Sequence, residues 1–186
     1  MNRKPIKDHE NLLHAFMILL DQGVIKTSAI SLWADSVLAS EDESEYAFIE
    51  LSTIRNGYDM LQLLRKNSEN ADPEIVSRAL LGILYHELLK GEISPKKAAD
   101  IATHISYEES LTSDEQFLLY RYYEYREINL NETDEALKLY QYHFLTLLEI
   151  YQDFHLENDE KWPEINEKLK INLEEKLEMI KQQHPY

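Results

Sequence analysis

The sequence predicts an all-α fold, a single domain of about eight helices spanning residues 1–186. Three observations carry this. Apolar residues recur at three- and four-residue steps along nearly the whole chain, and no segment alternates convincingly at period two. Gly occurs only 4 times and Pro 5 times, too few for the many turns of a sandwich or barrel. Apolar residues make up 44% of the 186, enough for a sizeable core in one domain.

The elements follow in order. Residues 9–22 form a helix with Leu12, Leu13, Phe16, Leu19 and Leu20 on one stripe, and Gly23 ends it. Thr27 or Ser28 caps a second helix to about residue 39, with Ile30, Trp33, Ala34 and Val37 inward. A charged loop, 41–45, leads to helix 46–66, kinked near Asn56-Gly57. Asp72-Pro73-Glu74 supplies a capping acid, a proline at the first helical position and an acid in the first turn, so a helix runs from there to Lys90 and stops at Gly91. Ser94-Pro95 starts the next, to about 105, with Ile101 and Ala102 inward. Thr112 or Ser113 starts another, to about 127. Thr133 opens a helix to about 155, and Trp162-Pro163 a last one to about 182. In that last helix Ile165, Leu169, Leu173, Leu177 and Ile180 span fewer than three heptads. It reads as a terminal helix packed on the domain, not a coiled coil.

An internal similarity runs through this order. Leu19-Leu20-x-x-Gly23-x-Ile25 precedes a helix carrying Trp33-Ala34, and Leu88-Leu89-x-Gly91-x-Ile93 precedes one carrying Ile101-Ala102. The offset is 68 residues (91 − 23). Both stretches read as helix, Gly-x-Ile turn, short helix, polar loop, longer helix. The expectation is two stacked helical pseudo-repeats, 9–67 and 73–130, followed by a C-terminal helical pair, 133–183. Two unrelated hairpins sharing cap chemistry would read the same way.

Charge and composition narrow the function. Formal charge is −16, from 35 acidic against 19 basic residues. Polyphosphate repels such a surface, so no direct nucleic-acid binding is expected, and anionic membranes are disfavoured for the same reason. No apolar run approaches the ~20 residues of a membrane span. Arg3, Lys4 and Lys7 precede the apolar stretch 12–20. Asp8, Glu10 and His14 interrupt it, so it reads as an amphipathic helix, not a signal peptide, and a cytoplasmic location is expected. Absence of Cys excludes disulfide frameworks, zinc ribbons, iron–sulfur clusters and thiol nucleophiles. His86-Glu87-Leu88-Leu89-Lys90 begins a zinc-protease motif but puts Lys where the second ligand belongs. The residues three before His86, His104, His143 and His155 are Ile83, Ile101, Tyr140 and Gln152, so no Glu-x-x-His pair for a di-iron site exists. No nucleophile elbow, phosphate loop or dinucleotide fingerprint occurs. No catalytic residue, metal ligand or cofactor is expected, and the chain reads as a non-enzyme.

Two features suggest a binding surface. Tyr120, Tyr122, Tyr123 and Tyr125 crowd one helix, whose successive residues lie about 100° apart, so they cannot all face inward. Tyr gives large contact area at low entropic cost, and Tyr122 and Tyr125 are candidate contact residues. The same rings could equally wedge between helices. Glu41, Asp42, Glu43 and Glu45 form one acidic group. Glu108, Glu109, Asp114 and Glu115 form another in the equivalent loop of the second pseudo-repeat. Stacked in parallel, these loops would add into one negative surface for a basic protein, or simply a solvated rim.

The Leu20-x-x-Gly23-x-Ile25 turn, the helix carrying Trp33, Ala34 and Asp35, and the acidic stretch 41–45 resemble immunity proteins of bacterial polymorphic-toxin and contact-dependent inhibition systems. The resemblance covers roughly the first 55 residues and transfers no site residues. It implies a non-enzymatic inhibitor that occludes the active site or substrate surface of a basic toxin, for example a nuclease. The alternatives are a helical regulator or scaffold binding another cellular protein, and a small helical enzyme with a site assembled from scattered Glu, Tyr and His.

Overall fold

A computed structural model describes residues 5–40, 45–107, 110–128 and 134–183; the side chains of 125–128, 134, 136 and 137 lie outside that description. Among the described residues the protein is all-α, with nine α-helices, two short 3-10 segments and no strand. The chain divides into two compact units, Met1–Val76 and Ser77–Tyr186, with the boundary inside one helix. Among the described residues no helix is long and apolar enough to cross a membrane.

The first unit holds a 3-10 turn (Ile6–His9), α1 (Glu10–Asp21), α2 (Thr27–Ser40), α3 (Tyr46–Thr53), α4 (Gly57–Lys66) and the start of α5 (Pro73–Lys90). α1 packs on α4, and α2 on α3. The apolar stripe read from the sequence is the buried one: Leu12, Leu13, Ala15, Phe16 and Leu19 are all inside, with Leu20 at its margin. Ile30 and Ala34 of α2 are fully buried, while Trp33 is half-buried and meets the edges of His9, Phe16 and Phe48. The expected kink at Asn56-Gly57 is a full break. Ile54 and Asn56 adopt extended backbone, and the Asn56 side chain accepts from the Asp59 backbone N–H at 2.8 Å to start α4. Asp72 caps α5 as expected, accepting from the backbone N–H groups of Glu74 (2.9 Å) and Ile75 (3.2 Å). The loop before it is tied to α1, because Asn70 and Asp72 donate their backbone N–H groups to the side chains of Glu10 and Asn11.

The second unit holds the rest of α5, α6 (Pro95–Tyr107), α7 (Ser113–Ile128), α8 (Asp134–Glu149), a 3-10 segment (Leu156–Lys161) and α9 (Trp162–Gln183). α6 packs on α7, and α7, α8 and α9 touch one another. α9 buries Trp162, Asn166, Leu169, Leu173, Leu177 and Ile180 along one stripe, the packed terminal helix the periodicity describes. The helix expected over 133–155 stops six residues early, at Glu149. Periodicity runs on through Tyr151 and Phe154, both buried, but the backbone turns out of the helix there. Gly82 of α5 lies against this bend. A Cβ at that position would collide with the Tyr151 carbonyl oxygen and sit 2.9 Å from Phe154 Cβ. The Asn158 amide knots the bend together: it accepts from the His155 N–H (3.0 Å) and the Trp162 indole (3.1 Å) and donates to the Asp153 carbonyl (2.9 Å).

The two Gly-x-Ile turns have the same local geometry. Gly23 and Gly91 are the positive-φ residues of the chain among those described, at 63° and 73°. Each follows a helix in a Schellman arrangement. The glycine N–H reaches three residues back (Gly23 to Leu20, Gly91 to Leu88, both 3.0 Å). The next N–H reaches five back (Val24 to Leu19, 2.8 Å; Glu92 to Glu87, 3.0 Å). α2 and α6 start at Thr27 and Pro95, again 68 apart (95 − 27). Ile30 and Ala34 correspond to Ala98 and Ala102, all buried.

Candidate protein-binding surface

The ten residues singled out in the sequence fare differently. Glu41, Asp42, Glu43, Glu108 and Glu109 lie outside the described residues, as does the Tyr125 side chain. Glu45 is half-buried, and its Oε2 accepts from the Ile6 backbone N–H at 3.3 Å. Asp114 is partly exposed and pairs with Lys181 at 2.8 Å.

Glu115 does not sit on an acidic rim. It is 0% exposed and is the hub of a buried polar cluster. Arg78 grips it with two parallel bonds, Nε to Oε1 (2.9 Å) and Nη2 to Oε2 (3.0 Å), the fork geometry that suits a carboxylate. Tyr151 donates its hydroxyl to Oε1 at 3.0 Å, and the Thr112 N–H and hydroxyl both reach Oε2 at 2.8 Å. Arg78 also donates to Asn166 Oδ1 at 2.8 Å. The missed signal is Thr112-x-x-Glu115, a capping box. Glu115 turns back onto the start of its own helix, while its backbone N–H returns to Thr112 Oγ1 at 3.3 Å. That places the carboxylate where Arg78 meets it. Burial, and then the Glu115 carboxylate, push the Tyr151 phenol well above its ordinary value of 10.0.

Tyr122 is also internal, 4% exposed, with its ring 6.0 Å from Tyr140 and 5.7 Å from Phe144. Leu118 and Leu119 are buried beside it, so the inward arc of α7 holds 115, 118, 119 and 122. The Leu118-Leu119 pair marks that arc in the sequence, and Tyr122 falls in it at the i+4 and i+3 steps.

What faces out is the other side of α7. Phe117 (48% exposed), Tyr120 (39%), Arg121 and Glu124 follow one another at i, i+3, i+4 and i+7, a single helical stripe. Arg121 lies over the Phe117 ring, 5.3 Å from guanidinium carbon to ring centroid. Tyr120 hydrogen-bonds Glu124, which raises its phenol, and nearby Tyr107 and Tyr123 add to that. Tyr107, at the end of α6, is 65% exposed. Three aromatic rings therefore stand exposed, with Glu124 beside Tyr120 and Asp114, paired to Lys181, one turn before Phe117. The stripe presents apolar ring area to solvent, with Arg121 and Glu124 of opposite charge along it. Among the described residues, no group of three or more His, Asp or Glu side chains is placed to hold a metal ion.

No family model, curated protein or solved structure matches the chain.

Proposed function

We propose that the protein is a binding module for a basic protein, and most specifically an immunity protein that neutralises a basic toxin such as a nuclease. The exposed stripe Phe117, Tyr120, Arg121 and Glu124, with Tyr107 beside it, supports a contact surface, and the charge of the chain as a whole supports a basic partner. Aromatic rings left in water on a chain of charge −16 match the needs of an inhibitor. Charge attracts a positive substrate surface quickly, and aromatic anchors slow dissociation once docked. The toxin would be blocked sterically at the surface that holds its own anionic substrate.

The test is affinity capture from the native cell at two salt concentrations, with wild type and Phe117→Ala/Tyr120→Ala as baits. The expected result is a basic protein enriched by wild type, weakened by salt and lost with the double variant. Its toxic activity should be inhibited by wild type alone. A captured basic partner without toxic activity would move the reading to a regulator or scaffold. Equal capture by both baits would remove this stripe from the interface.

A further inference from the structure

The second unit also holds a groove of about 460 Å³ between α9 and the 150–158 segment, within the size range of small-molecule sites. α9 lines it with Lys168, Leu169, Asn172 and Lys176, at steps that keep them on one face. Ile150 and Ile165, both half-buried, give it apolar walls, and Asp153 lies on the far side. The far wall is held in place, because Asn158 ties Asp153 and His155 together through the bonds described above.

The charge of this lining is unlike that of the chain. Two lysines face one aspartate, and with Glu164 beside Lys168 the groove is locally neutral on a protein of −16. Lys168 is shared with Glu164 at 2.7 Å, a solvent-exposed pair that water and salt weaken. Lys176 is half-buried and Asn172 exposed, and neither has an ion-pair or hydrogen-bond partner among the described residues. His155 does not add charge at neutral pH. Its burial and the His86 ring stacked 3.9 Å away lower its pKa.

We propose that this groove binds a small monocarboxylate with an apolar body, an aryl or short acyl acid. The carboxylate would meet the Lys176 ammonium and the Asn172 amide, with Lys168 adding charge, and the body would cover Ile150 and Ile165. Asp153 decides between anions: a single negative charge satisfies the Lys176 ammonium, which has no carboxylate beside it among the described residues, whereas a phosphate dianion would face the aspartate with one charge in excess. A neutral ligand would leave the half-buried ammonium without a counter-charge.

The probe is phenylacetate, titrated into isotope-labelled protein and followed by amide chemical shifts, with 2-phenylethanol and phenyl phosphate as controls. Phenylacetate should give saturable shifts confined to residues 150–176, in the millimolar range usual for ligands this small. Lys176→Gln should weaken it by roughly tenfold, the loss of one charge-assisted hydrogen bond. Lys168→Gln should have a smaller effect. Both substitutions are on the surface, and circular dichroism checks that each variant keeps its helices. Four results would each overturn the proposal: no saturation by about 10 mM, equal binding of 2-phenylethanol, tighter binding of phenyl phosphate, or no change in Lys176→Gln.

Discussion

Replacing Glu115 by Ala should be among the most damaging single changes available in the second unit. It strands Arg78, which is 1% exposed and loses both halves of its bidentate ion pair. Leaving one partner of a buried pair uncompensated costs about 3–5 kcal/mol. The same substitution removes the capping-box carboxylate from α7, worth about 1 kcal/mol. The sum, about 4–6 kcal/mol, is a large part of the ~5–15 kcal/mol that holds a typical domain together. The chain has 2 Trp, so a Trp33→Phe background leaves the fully buried Trp162 as the fluorescent reporter of the second unit. In urea, with a slope near 2 kcal/mol per molar, the midpoint should fall by roughly 2–3 M. Replacing both charges, Arg78→Met with Glu115→Leu, should recover most of the loss, because no unpaired charge then remains inside. A Glu115→Ala variant within about 1 kcal/mol of wild type would refute this reasoning, as would a double variant no better than the single one.

Tyr151 should give the stability a base-sensitive limb. Its phenol is raised in the folded state, so its contribution is complete below the ordinary value of 10.0 and is lost as pH rises above it. Urea titrations from neutral pH to pH 11 should show a fall that Tyr151→Phe reduces. Gly82→Ala should cost about 1–3 kcal/mol from overpacking against the Tyr151 carbonyl, measured by the same unfolding curves. Tyr122→Ala should destabilise by about 3–5 kcal/mol and Tyr120→Ala by under about 0.5, because one ring is in the core and the other in water.

The fold was legible because helices announce themselves by period and by ends. The Leu12 to Leu19 stripe, the Asp72-Pro73-Glu74 start and the glycine stops at 23 and 91 all act within one or two turns of chain. What was hidden depends on distant partners. The bend at 150–155 rests on Gly82, far back in the chain, and on an amide at Asn158, so helical periodicity ran straight through it. The candidate surface shows the same limit. Counting acids put Glu115 outside, whereas its fate was set by a local cap and an arginine 37 residues earlier. The separation of Tyr120 and Tyr122 to opposite sides of α7 followed from the 100° step. Which of the two faced inward needed the neighbouring leucines to be weighed as an arc.

The paired turns at Gly23 and Gly91 give the chain two joints of the same backbone geometry. α1 and α5 leave through the same backbone bonds, and α2 and α6 begin the same distance beyond them. A crossover that passes from Gly23 directly to Glu92 removes 68 residues (91 − 23) yet keeps a glycine, a matched turn and the rotational phase of the incoming helix. Ala98 and Ala102 would then arrive where Ile30 and Ala34 now point. Copying at that joint adds helices without spoiling any helix end, whereas deleting there takes out Arg78 and leaves the buried Glu115 unpaired, so the seam suits duplication and not removal.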